Sequence, residues 1–395
     1  MKKKNIYLDY NSTHPPNKAL ITKAQNIYFE NFGNTSGLSS FSQKAEYLLE
    51  TSRESIANNL NFKTDQIIFT ASASEANAIA VYTSIKPMLN KKKNINIYIS
   101  PFEHPSVSET VLRIPNAKVN FLKICPKGII DLEFLEKLLK NKKIDFLAIT
   151  QTHNETGILQ PINEIIKIIK RFPVPFLVDS VQTLSRLNKK SKNEYFYFDH
   201  TIDLPIFFTL SGHKIGAGFG TGILIRPDGK YSDILKDNII YAGGTQEHEI
   251  RPGSHNLASI LAFDFVLKAQ LNNKTLTENI KKNTREWECL LLKEFENFLP
   301  VKIIGQHTER IPGISLVLFL NVPVDFLLMG LDQRNIFVST GSSCKSKARS
   351  ASPALLKLGL NENEALSVIR FSFTNLFQDK VFVINELKKI IKKLS

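Results

Sequence analysis

Between about residues 66 and 226, short runs of apolar and β-branched residues alternate with segments of helical periodicity. This alternation is typical of a doubly wound α/β domain, in which helices cover both faces of a mostly parallel sheet. Strands are expected at residues 67–70, 95–100, 119–124, 146–150, 176–179, 206–210 and 222–225, and two of the helices at 131–140 and 162–172. Ligands bind where the strands of such a sheet end, so the polar residues after each strand are the first candidates for function.

The pattern changes after about residue 255, and the rest of the chain is expected to form a smaller α+β domain. Helices are expected at 256–271 and 275–298, strands at 314–320, 337–340 and 368–373, and a closing amphipathic helix at 381–394. The sequence therefore predicts a large α/β domain over residues 15–255, and a small domain made of residues 1–14 and 256–395.

The composition is that of an ordinary globular protein, with 43% hydrophobic and 22% charged residues among 395. No apolar run is long enough to span a membrane, and the first residues lack the apolar stretch of a signal peptide. Three widely spaced cysteines argue against a disulfide framework or structural zinc, so a cytoplasmic location is expected. The net charge of +14 could attract RNA, but the lysines are spread along the chain, so direct nucleic-acid binding is not expected.

A lysine and an aspartate stand at two of the expected strand ends. Lys214 closes the segment Ser211-Gly-His-Lys214 after the apolar run 205–210, and Asp179 ends the run 176–179. Pyridoxal phosphate needs an amine that holds its aldehyde as a Schiff base, and a carboxylate that keeps its pyridine nitrogen protonated. The pair therefore indicates a pyridoxal phosphate enzyme. The alternatives are a solvated surface lysine for Lys214 and a helix or turn cap for Asp179.

Two further strand ends carry groups that suit this cofactor. Ala73 and Ser74 begin a helical segment whose backbone N–H groups and hydroxyl could hold a phosphate, although Ser74 could instead be only an N-cap. His104 precedes Pro105 at the start of another helix, where its imidazole could stack on a pyridine ring and move protons. It could also merely pack at the helix start, and the sequence leaves these alternatives open.

A cysteine and an arginine in the second part of the chain are also candidates for chemistry. Cys344 lies in the small, polar segment 339–350, where nearby positive charges favour the thiolate and make it a candidate nucleophile. Those charges belong to Lys345, Lys347 and Arg349. Cys125 and Cys289 lie in apolar contexts and are interpreted as structural. Arg370 interrupts an apolar strand, where it could form a salt bridge or grip a substrate carboxylate.

Taken together, the chain closely resembles the cysteine desulfurases, which are class V aminotransferase-like, fold-type I pyridoxal phosphate enzymes with the aspartate aminotransferase fold. The resemblance runs from Tyr7-Leu-Asp-Tyr10 to Arg370-Phe-Ser372, nearly the whole chain. Between them, the matching segments are Phe69-Thr70, Glu103-His104, Asn154-Glu155, Asp179 with Gln182, Ser211-Gly-His-Lys214, Arg251-Pro-Gly253 and Gly341-Ser-Ser-Cys344. The type it resembles serves iron–sulfur cluster assembly and tRNA thiolation.

The resemblance implies a role for each candidate residue. Around the cofactor ring it implies Lys214 as the Schiff base, Asp179 at the pyridine nitrogen, Gln182 near the ring hydroxyl and His104 stacked on the ring. For the cofactor phosphate it implies Ala73, Ser74, Ser211 and His213, with Ser254 reaching in from the partner subunit of a homodimer. For the substrate carboxylate it implies Arg370 and Asn154, the latter also part of the cofactor site.

The implied reaction converts L-cysteine to L-alanine. The freed Lys214 amine moves a proton from the substrate Cα, His104 handles the proton of the substrate thiol, and the Cys344 thiolate takes the sulfur as a persulfide. A sulfur-acceptor protein, either a cluster scaffold or a tRNA-thiolation enzyme, would then receive it. Another aminotransferase, a selenocysteine lyase or a non-catalytic sulfur-carrier scaffold are the alternatives. An aminotransferase needs no thiol nucleophile, and a scaffold has no need of Lys214, Asp179 and His104 together.

The chain departs from the family pattern in four places. His14 and Ser254 each stand where the family usually has Thr. Asn34-Thr-Ser-Gly37 and the residues up to Gln43 replace the usual Asn-Pro-x-Ser followed by a histidine and a glycine. The loop 216–220 replaces Gly-Pro-Lys-Gly and is one residue shorter. These departures bear on substrate range and partner choice more than on the cofactor chemistry.

Overall fold

A computed structural model describes residues 4–188, 203–232, 238–240, 242–340, 351–374 and 377–393. Its strands are β1 (Ile6–Tyr7), β2 (Ile67–Thr70), β3 (Ile95–Ile99), β4 (Ala117–Phe121), β5 (Phe146–Thr150), β6 (Phe176–Asp179), β7 (Ile206–Ser211), β8 (Gly222–Ile225), β9 (Val301–Ile303), β10 (Ile314–Phe319), β11 (Ile336–Phe337) and β12 (Val368–Ser372). Its α-helices are α1 (Lys18–Glu30), α2 (Ser40–Leu60), α3 (Ala73–Leu89), α4 (Pro105–Leu112), α5 (Leu132–Lys140), α6 (Ile162–Arg171), α7 (Gly212–Ile215), α8 (Leu257–Asn272), α9 (Leu276–Phe295), α10 (Val324–Asp332), α11 (Pro353–Lys357), α12 (Glu362–Ala365) and α13 (Lys380–Ile391).

A seven-stranded sheet, in the order β2-β8-β7-β6-β5-β3-β4, forms the centre of the fold. The strands from β7 to β4 are parallel, whereas β8 is antiparallel to both of its neighbours. Since β8 alone runs in the reverse direction, β2, β5, β6 and β7 all end at the same edge of the sheet. The residues that follow these four strands are therefore brought together.

Both faces of this sheet are buried at the continuous apolar strands β2, β5, β6, β7 and β8, whereas the edge strand β4 is partly exposed. Alternate residues point to opposite faces, so Phe208 packs in one hydrophobic cluster and Phe207 in another. Helix α8, the first after residue 255, packs into the Phe208 cluster together with residues of α2. The division into domains at residue 255 stays a prediction.

A smaller antiparallel sheet, in the order β12-β10-β9, carries the second core. Val317, Ile369 and Phe371 pack on one face with α9 and α13, and Leu316 and Val368 pack on the other. Strand β1 pairs with β11 in a parallel, two-stranded sheet, which attaches the start of the chain to this second core. Within the described ranges, no helix is long and apolar enough to cross a membrane.

Most of the elements lie close to their expected positions, and two strands differ for a physical reason. Strand β4 covers 117–121 rather than 119–124, because it pairs residue by residue with β3, which ends at Ile99. Strand β11 covers only two residues rather than 337–340, because its partner β1 is equally short. In both cases the pairing partner sets the strand's length.

Candidate active site

Lys214 lies in α7, the short helix that directly follows β7 at the edge where the four strands end. Gly216 closes this helix with a φ of 89°, a conformation in which a side chain would be strained. The Nζ atom donates hydrogen bonds to the carbonyl oxygens of Asn11 (2.6 Å) and Ser12 (2.8 Å). Burial lowers the pKa of this amine to about 8, helped by the positive charge of Arg370. A large neutral fraction is therefore present near pH 8, and the neutral amine is the nucleophilic form.

Asp179 ends β6 and is 5% exposed. One carboxylate oxygen accepts a hydrogen bond from the backbone N–H of Val181 (3.0 Å), and the other accepts one from Nδ2 of Asn77 (3.1 Å). Asn77 lies on α3, and its own side-chain oxygen accepts a hydrogen bond from Oγ1 of Thr209 (2.7 Å). These contacts fix the orientation of the carboxylate at the same sheet edge as Lys214.

His104 is the N-cap of α4, since its Nδ1 accepts a hydrogen bond from the backbone N–H of Ser106 (3.1 Å). The same nitrogen lies 2.8 Å from Oγ of Ser106, which also accepts a hydrogen bond from Nδ2 of Asn77 (2.9 Å). Asn77 thereby links His104 to Asp179 through one hydroxyl group. The imidazole is exposed and held in place, so capping and a role in chemistry are compatible.

Gln182 follows β6 closely and is buried. Its Nε2 donates a hydrogen bond to the carbonyl oxygen of Asn11 (3.1 Å), the same oxygen that accepts from Lys214. Its Oε1 is also buried but has no hydrogen-bond partner among the residues that the structure describes. Buried amide oxygens are almost always paired, so this atom marks a position where a bound group can supply a donor. A ring hydroxyl fits that requirement.

The candidate phosphate residues lie at the first turn of α3. Ser72, and not Ser74, is the N-cap, because its hydroxyl accepts the hydrogen bond from the backbone N–H of Glu75 (3.2 Å). Ser74 is exposed two positions after this N-cap, next to the buried Ala73. Gly222 of β8 permits this close approach, since a Cβ there would lie 2.2 Å from a backbone carbon of Ser72. The N-terminus of this 17-residue helix suits an anion.

Ser211 and His213 lie beside this turn, because Ser211 pairs in register with Gly222. Ser211 is buried at the end of β7, and the ring of His213 stacks on Phe219 with centroids 5.2 Å apart. Burial and the charge of Lys214 lower the pKa of His213 to about 4. The imidazole is therefore neutral at neutral pH and can donate one N–H to an anion.

Arg370 is buried in β12 and reaches the end of the large sheet. Its guanidinium donates to the backbone carbonyl of Asn154 (3.1 Å), to Oδ1 of Asp9 (2.9 Å) and to Oγ of Ser12 (3.0 Å). Its Nε is buried without a hydrogen-bond partner in the described part of the chain. The two roles that the sequence left open for Arg370 are therefore compatible. The guanidinium forms a salt bridge and also has an N–H group that a carboxylate could accept from. The role of the Asn154 side chain stays a prediction.

Several residues of the site were not expected from the sequence, namely Asp9, Asn11, Asn77 and Arg186. Asp9 and Asn11 directly follow β1, so the rule that ligands gather after strands would have found them. Asn77 is a buried polar residue in a helix whose other buried residues are mostly small or apolar. Arg186 stands near two buried leucines in a short 3₁₀ turn, which is an unusual place for a charge.

Some of the candidates lie in loops or outside the described residues. Cys344 and the basic residues around it, Lys345, Lys347 and Arg349, lie outside, so their roles stay predictions. Ser254 is exposed in the loop before α8. The departing segment 34–43 contacts this loop, because Oγ1 of Thr35 lies 2.9 Å from Nδ1 of His255. The approach of Ser254 to a partner subunit stays a prediction.

Two other details of the sequence analysis can be compared with the structure. His14 lies against Gly216, where an added Cβ would come within 2.8 Å of its ring, and its Nε2 lies 2.9 Å from Oγ1 of Thr374. Cys289 was interpreted as structural from its apolar neighbours in the sequence, but this residue is exposed. It lies on α9 opposite the face that buries Trp287 and Leu291. Cys125 is partly buried.

Comparison with known proteins identifies the family of this chain. The chain matches the family model Aminotransferase class-V over residues 6–380. It belongs to the class-V aminotransferase family. Proteins named cysteine desulfurase IscS are similar to this class-V aminotransferase: one from Clostridium botulinum is 29% identical and the match covers 99% of this chain and 95% of that protein. Another, from Ehrlichia chaffeensis, is 31% identical over 93% of this chain and 85% of that protein.

A solved structure agrees with these relatives. The X-ray structure of a NifS-like protein from Rickettsia africae ESF-5 has a TM-score of 0.80 and 29% identity, and the match covers 98% of this chain and all of that chain. The family and the fold class expected from the sequence are thereby confirmed, as is the prediction that the chain is an enzyme of this family. Members of this family use pyridoxal phosphate, so the cofactor class follows from membership.

Proposed function

We propose that this class-V aminotransferase is a pyridoxal phosphate-dependent cysteine desulfurase, which converts L-cysteine to L-alanine and passes the sulfur to Cys344. The observation that carries the proposal is the Lys214 amine, which has a lowered pKa and shares one carbonyl acceptor with Gln182 at the edge where Asp179 also lies. Relatives that are named cysteine desulfurase, and that match nearly the whole chain, support the same reaction.

Bound pyridoxal phosphate would supply an electron-accepting pyridine ring and an aldehyde. The Lys214 amine would hold the aldehyde, Asp179 the proton on the ring nitrogen, and Gln182 the ring hydroxyl through its unpartnered Oε1. The ring would lie against His104, which is held by Ser106. The phosphate would be held by the first turn of α3 and its neighbours, Ala73, Ser74, Ser211 and His213, with Ser254 from a partner subunit.

The substrate carboxylate would bind Arg370, with Asn154 beside it. The unpartnered Nε of Arg370 supports this role, and the ion pair from Nη2 to Asp9 holds the guanidinium in place. The Lys214 amine then takes the proton from the substrate Cα and returns it later, which is possible because its lowered pKa leaves part of it neutral near pH 8. His104 accepts the proton of the substrate thiol.

Sulfur transfer needs no external oxidant. The Cys344 thiolate forms an S–S bond with the substrate sulfur while the substrate's C–S bond breaks, and the electron pair of that bond stays with the carbon skeleton. Protonation of this carbon completes L-alanine. The sulfur then leaves the persulfide of Cys344 for an acceptor protein, for which we propose a cluster scaffold or a tRNA-thiolation enzyme. A cytoplasmic location goes with this proposal.

We also propose that the protein is a homodimer. Large apolar side chains are exposed along residues 29–47, and the rings of Phe32 and Phe41 lie 4.9 Å apart. The side-chain exposures are 66% for Phe29, 65% for Phe32, 94% for Leu38, 37% for Phe41 and 71% for Tyr47. Such clusters usually lie at protein interfaces. The loop that carries Ser254 is attached to the same segment, because Nε2 of Gln246 donates to Oγ of Ser36 (3.1 Å).

The proposed reaction is tested by measuring alanine and sulfide after the purified protein is given pyridoxal phosphate, L-cysteine and dithiothreitol. We expect the two products in equal amounts, no turnover in Lys214→Ala, and loss of sulfur transfer with an unchanged cofactor spectrum in Cys344→Ser. Cys289→Ser is the matched control, since Cys289 is an exposed thiol outside the site. Normal turnover in Cys344→Ser would remove Cys344 from the mechanism.

A further inference from the structure

Asn11 connects the residues around Lys214. This asparagine is 1% exposed, and its side-chain amide donates a hydrogen bond to the carbonyl oxygen of Asn154 (2.8 Å). Its side-chain oxygen accepts a hydrogen bond from the guanidinium of Arg186. Its backbone carbonyl oxygen accepts from Nζ of Lys214 (2.6 Å) and from Nε2 of Gln182 (3.1 Å). The side chain of Asn11 is therefore anchored at both ends, while its backbone holds the candidate catalytic amine.

Arg186 is a buried cation, only 1% exposed. Within the described ranges it has no carboxylate at ion-pair distance, and its hydrogen-bond acceptors are Oγ of Ser185 (2.6 Å) and the side-chain oxygen of Asn11. Its Nε faces the backbone of Gly313, where an added Cβ would lie 3.1 Å away. This Nε is buried and has no hydrogen-bond partner among the described residues. A buried charge without a counter-ion is costly, which makes the Asn11 contact important for holding it.

The segment that carries Asn11 lies beyond the regular strand, where a bridge between Asp9 and Ser372 and hydrogen bonds from the N–H groups of Tyr10 (3.2 Å) and Asn11 (3.0 Å) to Ser372 attach it to β12. Strand β1 pairs with β11 over two residues only and ends at Tyr7. The turn that follows must still bring two carbonyl oxygens, those of Asn11 and Ser12, within hydrogen-bond distance of one amine. A fixed side chain at Asn11 is a direct way to hold this turn.

We propose that Arg186 and Asn11 form a positioning pair for Lys214, in which Arg186 fixes the Asn11 side chain so that the Asn11 carbonyl orients the amine. The inference rests on the proposed function, because the orientation of the Lys214 amine affects the reaction only if this amine reacts with the cofactor aldehyde. The charged groups that act on the amine are Arg370 and Arg186, which disfavour its charged form, and Asp9 and Asp179, which favour it. The pair thus sets both the position of the amine and part of its charge environment.

The test is the rate at which the full-length protein, freed of cofactor, forms its visible absorbance band when mixed with pyridoxal phosphate, from about pH 6 to about pH 10. For the wild type we expect the rate to rise with pH and reach a plateau. Asn11→Ala removes both anchors and should lower the plateau about 100-fold, at about tenfold for each of the two buried hydrogen bonds that are lost. Asn283→Ala is the matched control, because Asn283 is similarly buried and hydrogen-bonded but lies on α9.

Asn11→Asp is the conservative variant, because it keeps an acceptor for Arg186. It should lower the plateau only about tenfold, because it loses the donor to Asn154 and keeps the acceptor for Arg186. It should also move the midpoint to higher pH, because it adds a negative charge to the residue whose carbonyl oxygen binds the amine, and a negative charge favours the ammonium form. Folding of each variant is checked by circular dichroism. If Asn11→Ala does not fold, the plateau and midpoint of Asn11→Asp still test the proposed pair.

A wild-type plateau in Asn11→Ala would overturn the proposal. So would a plateau in Asn11→Asp that falls as far as in the alanine variant, or a midpoint that does not move. If the wild type itself forms no absorbance band, the proposed function fails. A normal band in the wild type together with an unaffected Asn11→Ala variant would refute only the positioning pair.

Discussion

Glu247 has a buried carboxylate that forms hydrogen bonds with several neighbours. Its replacement by glutamine removes one charge from this buried group, and the effect on stability can be calculated. Arg53 of α2 donates to both of its oxygens (2.7 and 2.8 Å), and Nε2 of His255 lies 2.6 Å from one of them. The backbone N–H of Phe69 in β2 donates to the other at 2.6 Å. The side chains of Glu247 and Arg53 are 0% and 4% exposed, so water screens this pair little. The cluster joins β2 to the loop that carries Ser254.

The magnitude follows from the pKa of Glu247. Burial alone would raise this pKa, but the hydrogen bonds from Arg53 and His255 outweigh burial and hold it at about 2, below the ordinary value of 4.5. At about 1.4 kcal/mol for each pH unit, the charge contributes about 3 kcal/mol to the free energy of unfolding. Because the folded-state pKa is the lower one, this contribution is complete above pH 4.5 and is lost as the pH falls to about 2.

Urea unfolding of the wild type and Glu247→Gln, followed by circular dichroism at equal protein concentration, measures this difference. At pH 7 we expect Glu247→Gln to lose about 3 kcal/mol, and at about pH 3 the difference should shrink to less than half of that. Glu294→Gln is the control, because Glu294 pairs with Lys388 at the surface and should change little. Equal stability of wild type and variant at pH 7, or a difference that does not depend on pH, would refute the reasoning.

Three further predictions concern the active site. Asn77→Ala should weaken pyridoxal phosphate binding about tenfold, because Asp179 and Ser106 each lose a hydrogen-bond donor. The control Ser84→Ala, on the same helix, should leave the dissociation constant unchanged. Equal dissociation constants for the two variants would contradict this prediction. Arg370→Lys should raise the KM for L-cysteine by about 10- to 100-fold with a smaller change in kcat, and an unchanged KM would exclude carboxylate binding there. Labelling of Lys214 with an amine reagent should have its midpoint at about pH 8, and a midpoint at 10.5 would contradict the buried amine.

Local pattern was sufficient to locate most elements of the fold. The strands of the large sheet were found because each is a short apolar run, and Lys214 and Asp179 were found because they end or follow such runs. The cluster around them was not predictable in the same way. Lys214 and the carbonyl of Asn11 are 203 positions apart, and Arg186 and Asn11 are 175 apart, so only the folded chain brings them together.

Where the structure differs from the sequence interpretation, the reason is geometric. Cys289 has apolar neighbours along the chain, but Trp287 and Leu291 lie two positions before and after it, on the opposite side of α9. Ser74 was considered as an N-cap because it stands where the helical pattern opens, whereas α3 begins at Ala73 and Ser72 has the extended conformation of a cap. Which of these two serines caps the helix depends on backbone angles, and the sequence pattern does not show them.

The most direct test of the proposed desulfurase reaction is the mass of the peptide that contains Cys344, measured after the holoenzyme has reacted once with L-cysteine and without any reductant. The account predicts that this peptide gains one sulfur atom for each L-alanine released, and that the peptide containing Cys289 gains none. Release of alanine without any added sulfur on the Cys344 peptide would contradict the account, and so would the absence of alanine from a protein that has bound its cofactor through Lys214.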